Sequence, residues 1–260
     1  MCLNAWGGRL HGPLMDYLGQ SQPDILCLQE VVHTPDAPSA WLEYRDLGQV
    51  LPQRADVLGD VSAALPDHVA VFCPAARGPL WQGDHSYDSY WGLATWVHRR
   101  LIIVAQQQGF VHGGFGTGGF GDHPRSRTGH AVRVFDPVAH RFVMVAQMHG
   151  LRDLSGKQDM PIRRAQAHRF AALARSVAQP GDARVVCGDF NVLRNSETLD
   201  ILRAEGLRDC VTDQGWPGTR TASYPKPERF ADYLLTDADG AFEVVYDPEV
   251  SDHCPLVLRL

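Results

Sequence analysis

The sequence predicts an α/β (α+β) fold in which strands and helices pack as a sandwich. Three observations lead there. Ten short apolar runs rich in branched and aromatic residues recur along the 260 residues, as strands do. The few segments with helical spacing lie between those runs, not in a block of their own. With 44% hydrophobic and 21% charged residues, the chain can bury a sizeable core.

The elements are expected in this order. Ile25-Leu26-Cys27-Leu28 reads as a strand, followed by a weak helix over Gln49 to Ala64, interrupted by Pro52. Strands follow at His68 to Cys73, Leu93 to Val97, Leu101 to Ala105, Ala131 to Phe135 and Phe142 to Ala146. Asp136 to His140 separates the last two as a hairpin connection. Pro161 to Val177 is the strongest helix, with a proline in its first turn and Ile162, Ala165, Phe170, Leu173 and Val177 roughly on one face. Val185-Val186-Cys187 is the next strand. Ser196 is placed to cap a helix running through Leu202 that ends near Gly206. Tyr233-Leu234-Leu235, Phe242 to Val245 and Leu256-Val257-Leu258 close the order as strands. The glycine-rich stretch from Gly109 to His130, interleaved with Phe110, Phe115 and Phe120, lacks the GKS/T ending of a phosphate-cradling loop and reads as a mobile loop or lid.

Composition narrows the function classes. No stretch approaches the roughly 18 apolar residues of a membrane helix, and the first residues lack the pattern of a signal peptide, so a cytoplasmic protein is expected. The six cysteines stand singly, without a CxxC pair, and read as reduced core thiols. The net charge of −6 disfavours a large nucleic-acid partner, although Arg125, Arg127, Arg163 and Arg164 could converge on a local basic patch.

Four polar clusters end or border predicted strands: Leu3-Asn4-Ala5-Trp6, Asp24 to Glu30, Val186 to Asn191 and Ser251 to Leu256. Each alone has a plain structural reading. Glu30 could be the first solvated residue after a strand, Asp189 and Asn191 turn formers, and Asp252-His253 a surface pair. Together they gather carboxylates, amides and a histidine beside apolar strands. Such hard oxygen donors suit Mg²⁺ or Mn²⁺, ions that commonly serve phosphate chemistry.

In this order the clusters resemble the endonuclease/exonuclease/phosphatase superfamily. Val-Cys-Gly-Asp-Phe-Asn-Val at 186–192 and Ser-Asp-His-Cys-Pro-Leu at 251–256 are its most specific motifs here. Ile-Leu-Cys-Leu-Gln-Glu at 25–30 and Ala-Asp-Tyr-Leu-Leu at 231–235 support them. The resemblance runs from Asn4 to His253 and implies one catalytic domain over residues 1–260, a four-layer sandwich of two mixed sheets with helices outside. It implies a metal held by Glu30 with Asn4 and Asp252, and a water positioned and deprotonated by Asp189 with Asn191 beside it. His253 would donate to a phosphoryl oxygen, oriented by Asp232. His149, after the strand Phe142 to Ala146, occupies the place of a leaving-group histidine in the deoxyribonuclease and sphingomyelinase branches. Its orienting acid is expected to be Asp88, with Asp84 as the competitor.

Lys157 and Arg127 are candidate contacts to substrate charge. Lys157 lies in a segment, His149 to Arg163, that resembles a pattern of bacterial members. Val32 stands where duplex-cutting relatives carry a groove-reading arginine. The expected activity is therefore divalent-metal-dependent hydrolysis of a phosphoester, on a small or flexible substrate. A DNA or RNA nuclease is the alternative, and a catalytically silent binding module the third reading.

Overall fold

In the computed structural model every residue but Leu47 is described. The chain opens with strand β1 (Cys2–Asn4), a 3-10 turn (Trp6–Gly8) and helix α1 (His11–Ser21). Strands β2 (Ile25–His33), β3 (Trp41–Asp46) and β4 (Gln49–Arg54) precede helix α2 (Val57–Ala64). The long strands β5 (His68–Gln82), β6 (His85–His98), β7 (Ile102–His112), β8 (Arg127–Asp136) and β9 (Arg141–Met148) follow. Helix α3 (Pro161–Val177), strand β10 (Ala183–Asp189), helix α4 (Glu197–Arg203) and strands β11 (Arg208–Asp209), β12 (Asp232–Thr236), β13 (Ala241–Val244) and β14 (Leu256–Arg259) complete the chain.

The strands form two mixed sheets. One has eight strands in the order β13-β14-β1-β2-β6-β5-β3-β4, the other six in the order β11-β12-β10-β9-β8-β7. Their side chains follow the period of two that a strand imposes. On β2, Leu26 and Leu28 face the layer of α1 and α2, where Leu14, Leu18, Val57 and Val61 are buried, while Cys27 packs toward the other sheet. Helices α3 and α4 cover the outer face of the six-stranded sheet with Phe170, Leu173, Val177, Leu199 and Leu202. The result is the expected four-layer α/β sandwich. Among the described residues no helix is long and apolar enough to cross a membrane.

Helix α3 begins at Pro161 and ends at Val177, as its periodicity predicts. Helix α4 follows Ser196, but the serine hydroxyl makes no cap bond; the Asp159 carboxylate accepts from the Glu197 N–H instead, at 3.1 Å. The expected helix over 49–64 is in fact strand β4 followed by α2. Pro52 lies on β4, an edge strand, where a missing N–H costs no ladder bond. Asp56 then caps α2 by accepting from the Gly59 N–H at 3.0 Å. Helix α1 escapes prediction because Gly12, Pro13 and Gly19 give it poor intrinsic propensity; burial of Leu14 and Leu18 sustains it. The glycine-rich stretch extends β7 and β8 at its two ends. Its middle is fastened by Phe120 against Trp91 and Tyr44, and by Arg125 on Asp46 at 2.6 Å.

Candidate active site

Each sheet contains one parallel pair, and both pairs end at the same rim. β1 runs parallel to β2, with Asn4 opposite Gln29, and β9 runs parallel to β10, with Gln147 opposite Cys187. The C-terminal ends of β1, β9 and β10 deliver Asn4, His149 and Asp189 to this rim, and a bulge within β2 adds Glu30. The antiparallel neighbours start at this rim: Asp232 is opposite Asp189, and Asp252 and His253 lie just before β14. All eight residues expected from the four motifs, Asp232 and His149 are brought together.

Beneath the rim the two sheets meet through polar side chains. Gln29 donates to Gln147 at 2.7 Å, Gln147 donates to Thr95 at 2.8 Å, and Thr95 bonds the His130 ring at 2.8 Å. All four are buried. A paired polar layer fixes one arrangement where an apolar one would tolerate slippage.

Glu30 sits at a bulge where β2 shifts register against β6, with φ of +57°. A non-glycine residue in this region costs about 1–3 kcal/mol, and such strain gathers at functional sites. The bulge leaves the Glu30 carboxylate partly exposed in the cleft. The Asn4 amide nitrogen donates to Glu30 at 3.1 Å and to Asp189 at 2.9 Å, joining the two sheets, and its oxygen accepts from the Trp6 N–H at 2.9 Å. Ser251 donates to the Asn4 carbonyl at 2.7 Å and ties the segment before β14 to β1.

The turn after β10 depends on close backbone approach. Gly188 has φ of +144°, and a Cβ there would lie 2.0 Å from the Met148 carbonyl; one on Gly150 would lie 2.1 Å from that of Phe190. These glycines let β9 and β10 end side by side. Asp189 accepts from the Asn191 N–H at 3.0 Å, and the Asn191 side chain donates to the Gly150 carbonyl at 3.3 Å. Burial alone would raise the pKa of Asp189. His253, His149, Arg220 and Lys157 outweigh it and hold the carboxyl well below its usual range.

The Nε2 atoms of His253 and His149 both approach the same oxygen of Asp189, at 3.7 and 3.8 Å. The Nδ1 of His253 is bonded to Asp232 at 2.8 Å, and Asp232 accepts from Thr219 at 3.0 Å. Burial would lower the pKa of His253, but Asp232 and Asp189 prevail over it and over Arg220, and raise it. Burial, with Arg127 nearby, pushes His149 down to about 4. Neither Asp88 nor Asp84 orients His149. Asp88 is exposed and paired with Arg77, and the carboxylates near the ring are Asp189 and Glu30, the latter at 4.0 Å. Asp88 sits along the β5–β6 hairpin opposite Pro79, and Asp84 is exposed in its turn.

Asp189, Asp232 and His253 offer ligand atoms within 4.8 Å of one another, but Asp232 and His253 already satisfy each other. The stronger sign of a cation is Asp252. Its Oδ1 is buried without a hydrogen-bond partner, the Nε2 of His253 standing off at 3.6 Å, and Glu30 is near enough to act on it electrostatically. A buried carboxylate oxygen with no donor is costly. These oxygen donors fit a hard divalent cation.

Lys157 and Arg127 both reach the site. Lys157 donates to the Phe230 carbonyl and feels Asp189 and Asp232, and burial lowers its pKa. Arg127 donates to the Gly150 carbonyl at 3.1 Å; burial lowers its pKa against the pull of Glu30 and Asp189. The anticipated arginine quartet does not converge as a set, although Arg125 and Arg127 lie near enough to act on each other. Arg125 is held by Asp46, Arg164 by Glu197 at 2.6 Å, and Arg163 is buried against the Gln158 and Gly156 carbonyls. Arg220 escaped sequence reasoning altogether. Its Nη1 donates to Asp252 at 2.9 Å and contacts the Nε2 of His253.

The chain matches the sequence model of the Endonuclease/Exonuclease/phosphatase family over residues 1–253. No curated protein matches its sequence. Several solved structures share the fold. A family protein from Leptotrichia buccalis superposes with a TM-score of 0.65 at 14% identity, covering 100% of this chain and 97% of that one. A mannosyl-6-phosphatase of Bacteroides thetaiotaomicron gives 0.64 at 15% identity, covering 98% and 92%. The human Nocturnin catalytic domain, solved with bound sulfate, gives 0.59 at 17% identity, covering 99% and 92%. At these identities the likeness is one of fold.

Proposed function

The chain belongs to the endonuclease/exonuclease/phosphatase family, and on that premise we propose that it hydrolyses phosphoester bonds with a bound divalent cation, Mg²⁺ or Mn²⁺, on a small or flexible substrate. The observation that carries this reading is the buried Asp189 carboxylate within 3.8 Å of two histidine rings, one of which, His253, also stands 3.6 Å from the Asp252 oxygen that lacks a hydrogen bond. Glu30 and Asp252 would hold the cation, with Asn4 fixing the Glu30 carboxylate. The ion would neutralise phosphoryl charge and orient the group.

The remaining work falls to side chains. Asp189 accepts a proton from the attacking water, whose oxygen forms the new bond to phosphorus. Asn191, fixed on the Gly150 carbonyl, holds that water or a phosphoryl oxygen. His253, oriented by Asp232, donates to a non-bridging oxygen as charge builds there. The ester P–O bond breaks on the side of His149. Its neutral ring donates a hydrogen bond to the leaving oxygen, which takes its proton from solvent.

The engaged arginines of the would-be basic patch count against long duplex DNA as the substrate. So does Val32, which is fully buried and sends no side chain into a groove. The intact set of polar residues counts against a silent binding module. The test is hydrolysis of nitrophenyl phosphoesters with and without Mg²⁺ or Mn²⁺, in the wild type and in Glu30→Gln. Activity should vanish with chelator and return with either metal. The variant should keep its melting temperature and lose more than the about 10–100-fold typical of a residue that only orients a ligand. Near-normal activity of Glu30→Gln at saturating metal would overturn the assignment.

A further inference from the structure

Arg220 is a permanent cation buried inside the site, and none of the four motifs contains it. Its exposure is 7%, its Nε is buried without a partner, and its Nη2 makes no hydrogen bond among the described residues. One nitrogen, Nη1, is thus engaged with Asp252 and lies against the His253 ring, while Nε and Nη2 have no hydrogen-bond partner among the described residues. The guanidinium lies 4.2 Å over the Tyr224 ring. Arg229 pins the backbone on both sides by donating to the carbonyls of Arg220 at 2.8 Å and Thr221 at 2.7 Å. An isolated bridge between Arg220 and His253 locks this loop to the segment before β14.

Lys157 comes from another loop, and its Nζ donates to the carbonyl of Phe230, the residue after the Arg229 that holds the Arg220 backbone, so its charge and that of Arg220 act on each other. Arg163, itself buried, holds the backbone beside it by donating to the Gly156 carbonyl at 2.7 Å and the Gln158 carbonyl at 2.6 Å. Both cations are therefore presented by loops whose backbones are fixed, which is the geometry of a preorganised anion site.

Four carboxylates, Glu30, Asp189, Asp232 and Asp252, face three basic side chains, Arg127, Lys157 and Arg220. A divalent ion added to that set would leave one net positive charge. In an in-line displacement the phosphorus carries three equatorial oxygens. A phosphodiester leaves one of the three esterified, so only two can accept charge from the site. The cation, Asn191 and His253 suffice for two.

We propose that Arg220 and Lys157 clamp the third equatorial oxygen, so that the site is built for a terminal, dianionic phosphate and the substrate is a phosphomonoester. This rests on the phosphoester-hydrolase reading above and narrows it.

The test compares nitrophenyl phosphate with bis(nitrophenyl) phosphate in the wild type, Arg220→Gln and Lys157→Met, and measures binding of inorganic phosphate by calorimetry with Mg²⁺ present. The wild type should favour the monoester in kcat/KM. Arg220→Gln should lose about 10²-fold on the monoester, as removal of one preorganised donor does, and less than about tenfold on the diester. It should bind phosphate at least about tenfold more weakly. Lys157→Met, in a partly exposed loop, should shift both readouts in the same direction, and decides the matter if Arg220→Gln fails to fold. A wild-type preference for the diester would overturn the clamp, as would equal losses on both substrates or unchanged phosphate binding. If the wild type turns over neither ester, the hydrolase reading has failed. Phosphate binding that weakens in the variants would then still uphold the clamp, and unchanged binding would sink it.

Discussion

His253 and His149 stand at nearly the same distance from the same carboxylate, yet their surroundings shift their affinity for a proton in opposite directions. His253 is tied to Asp232, and its affinity for a proton is raised. His149 has no hydrogen bond to its ring among the described residues, lies beside Arg127, and is pushed down to about 4. Burial disfavours the charged form of both, so the difference comes from one well-placed carboxylate. On the proposed reading, two identical side chains beside Asp189 would serve as a charge-bearing donor and a neutral one, the usual way a site runs two proton roles at one pH.

Removal of His253 should have the larger effect. His253→Ala should lower kcat/KM by about 10²–10³-fold, as loss of a donor to developing charge does. Asp232→Asn should cost about 10–100-fold by acting through the same ring. The double variant should be no worse than His253→Ala alone. Additive losses measured in that cycle would give Asp232 a task independent of His253 and break the pairing.

His149→Ala should discriminate between leaving groups. A donor to the leaving oxygen matters most when that oxygen is strongly basic, so an alkyl phosphoester should lose about 10²-fold and a nitrophenyl one less than about tenfold. Equal losses would place His149 in binding and dissolve the contrast with His253.

The smallest effect tests the burial half of the comparison on a third ring. His130 is buried under the site without a carboxylate, and burial pushes it to about 4. A folded-state pKa below the unfolded value of about 6.5 means that the unfolded chain binds the proton more readily. Stability should therefore be unaffected above pH 6.5 and decline as pH falls toward 4. His130→Asn keeps an acceptor for Thr95 and removes the titration. Denaturant melts at pH 7 and pH 4.5 should show a loss smaller by about 2 kcal/mol in this variant, at about 1.36 kcal/mol per pKa unit. An unchanged acid loss would mean that burial of this ring does not set its protonation.

Much of the catalytic rim could be read from sequence because its residues stand at the ends of short apolar strands, where local pattern and position in the fold coincide. The core of β2, the turn after β10 and the start of α3 at Pro161 are of that kind. The failures are contacts across long separations. Asp88 was matched to His149 by its place before a strand, but the β5–β6 hairpin carries it away to Arg77. Arg220 meets His253 across 33 residues through one bridge, from a loop with no periodicity to betray it. Strands β3 and β4 bear Glu43, Arg45 and Pro52 on an edge hairpin, where little apolar alternation is needed.

The chain of side chains from Gln29 through Gln147 and Thr95 to His130 works like a key between two plates. Each plate carries half of the machinery. Glu30 and Asn4 ride on one, Asp189 and His149 on the other, and catalytic geometry tolerates errors of only about 0.5 Å. A slide of one plate by a single residue, about 3.3 Å, would misalign every pair at once. On the proposed reading, turnover would gauge how truly the two sheets are seated. A substitution at Gln147, which touches no substrate, should blunt activity by loosening that seat before the protein unfolds.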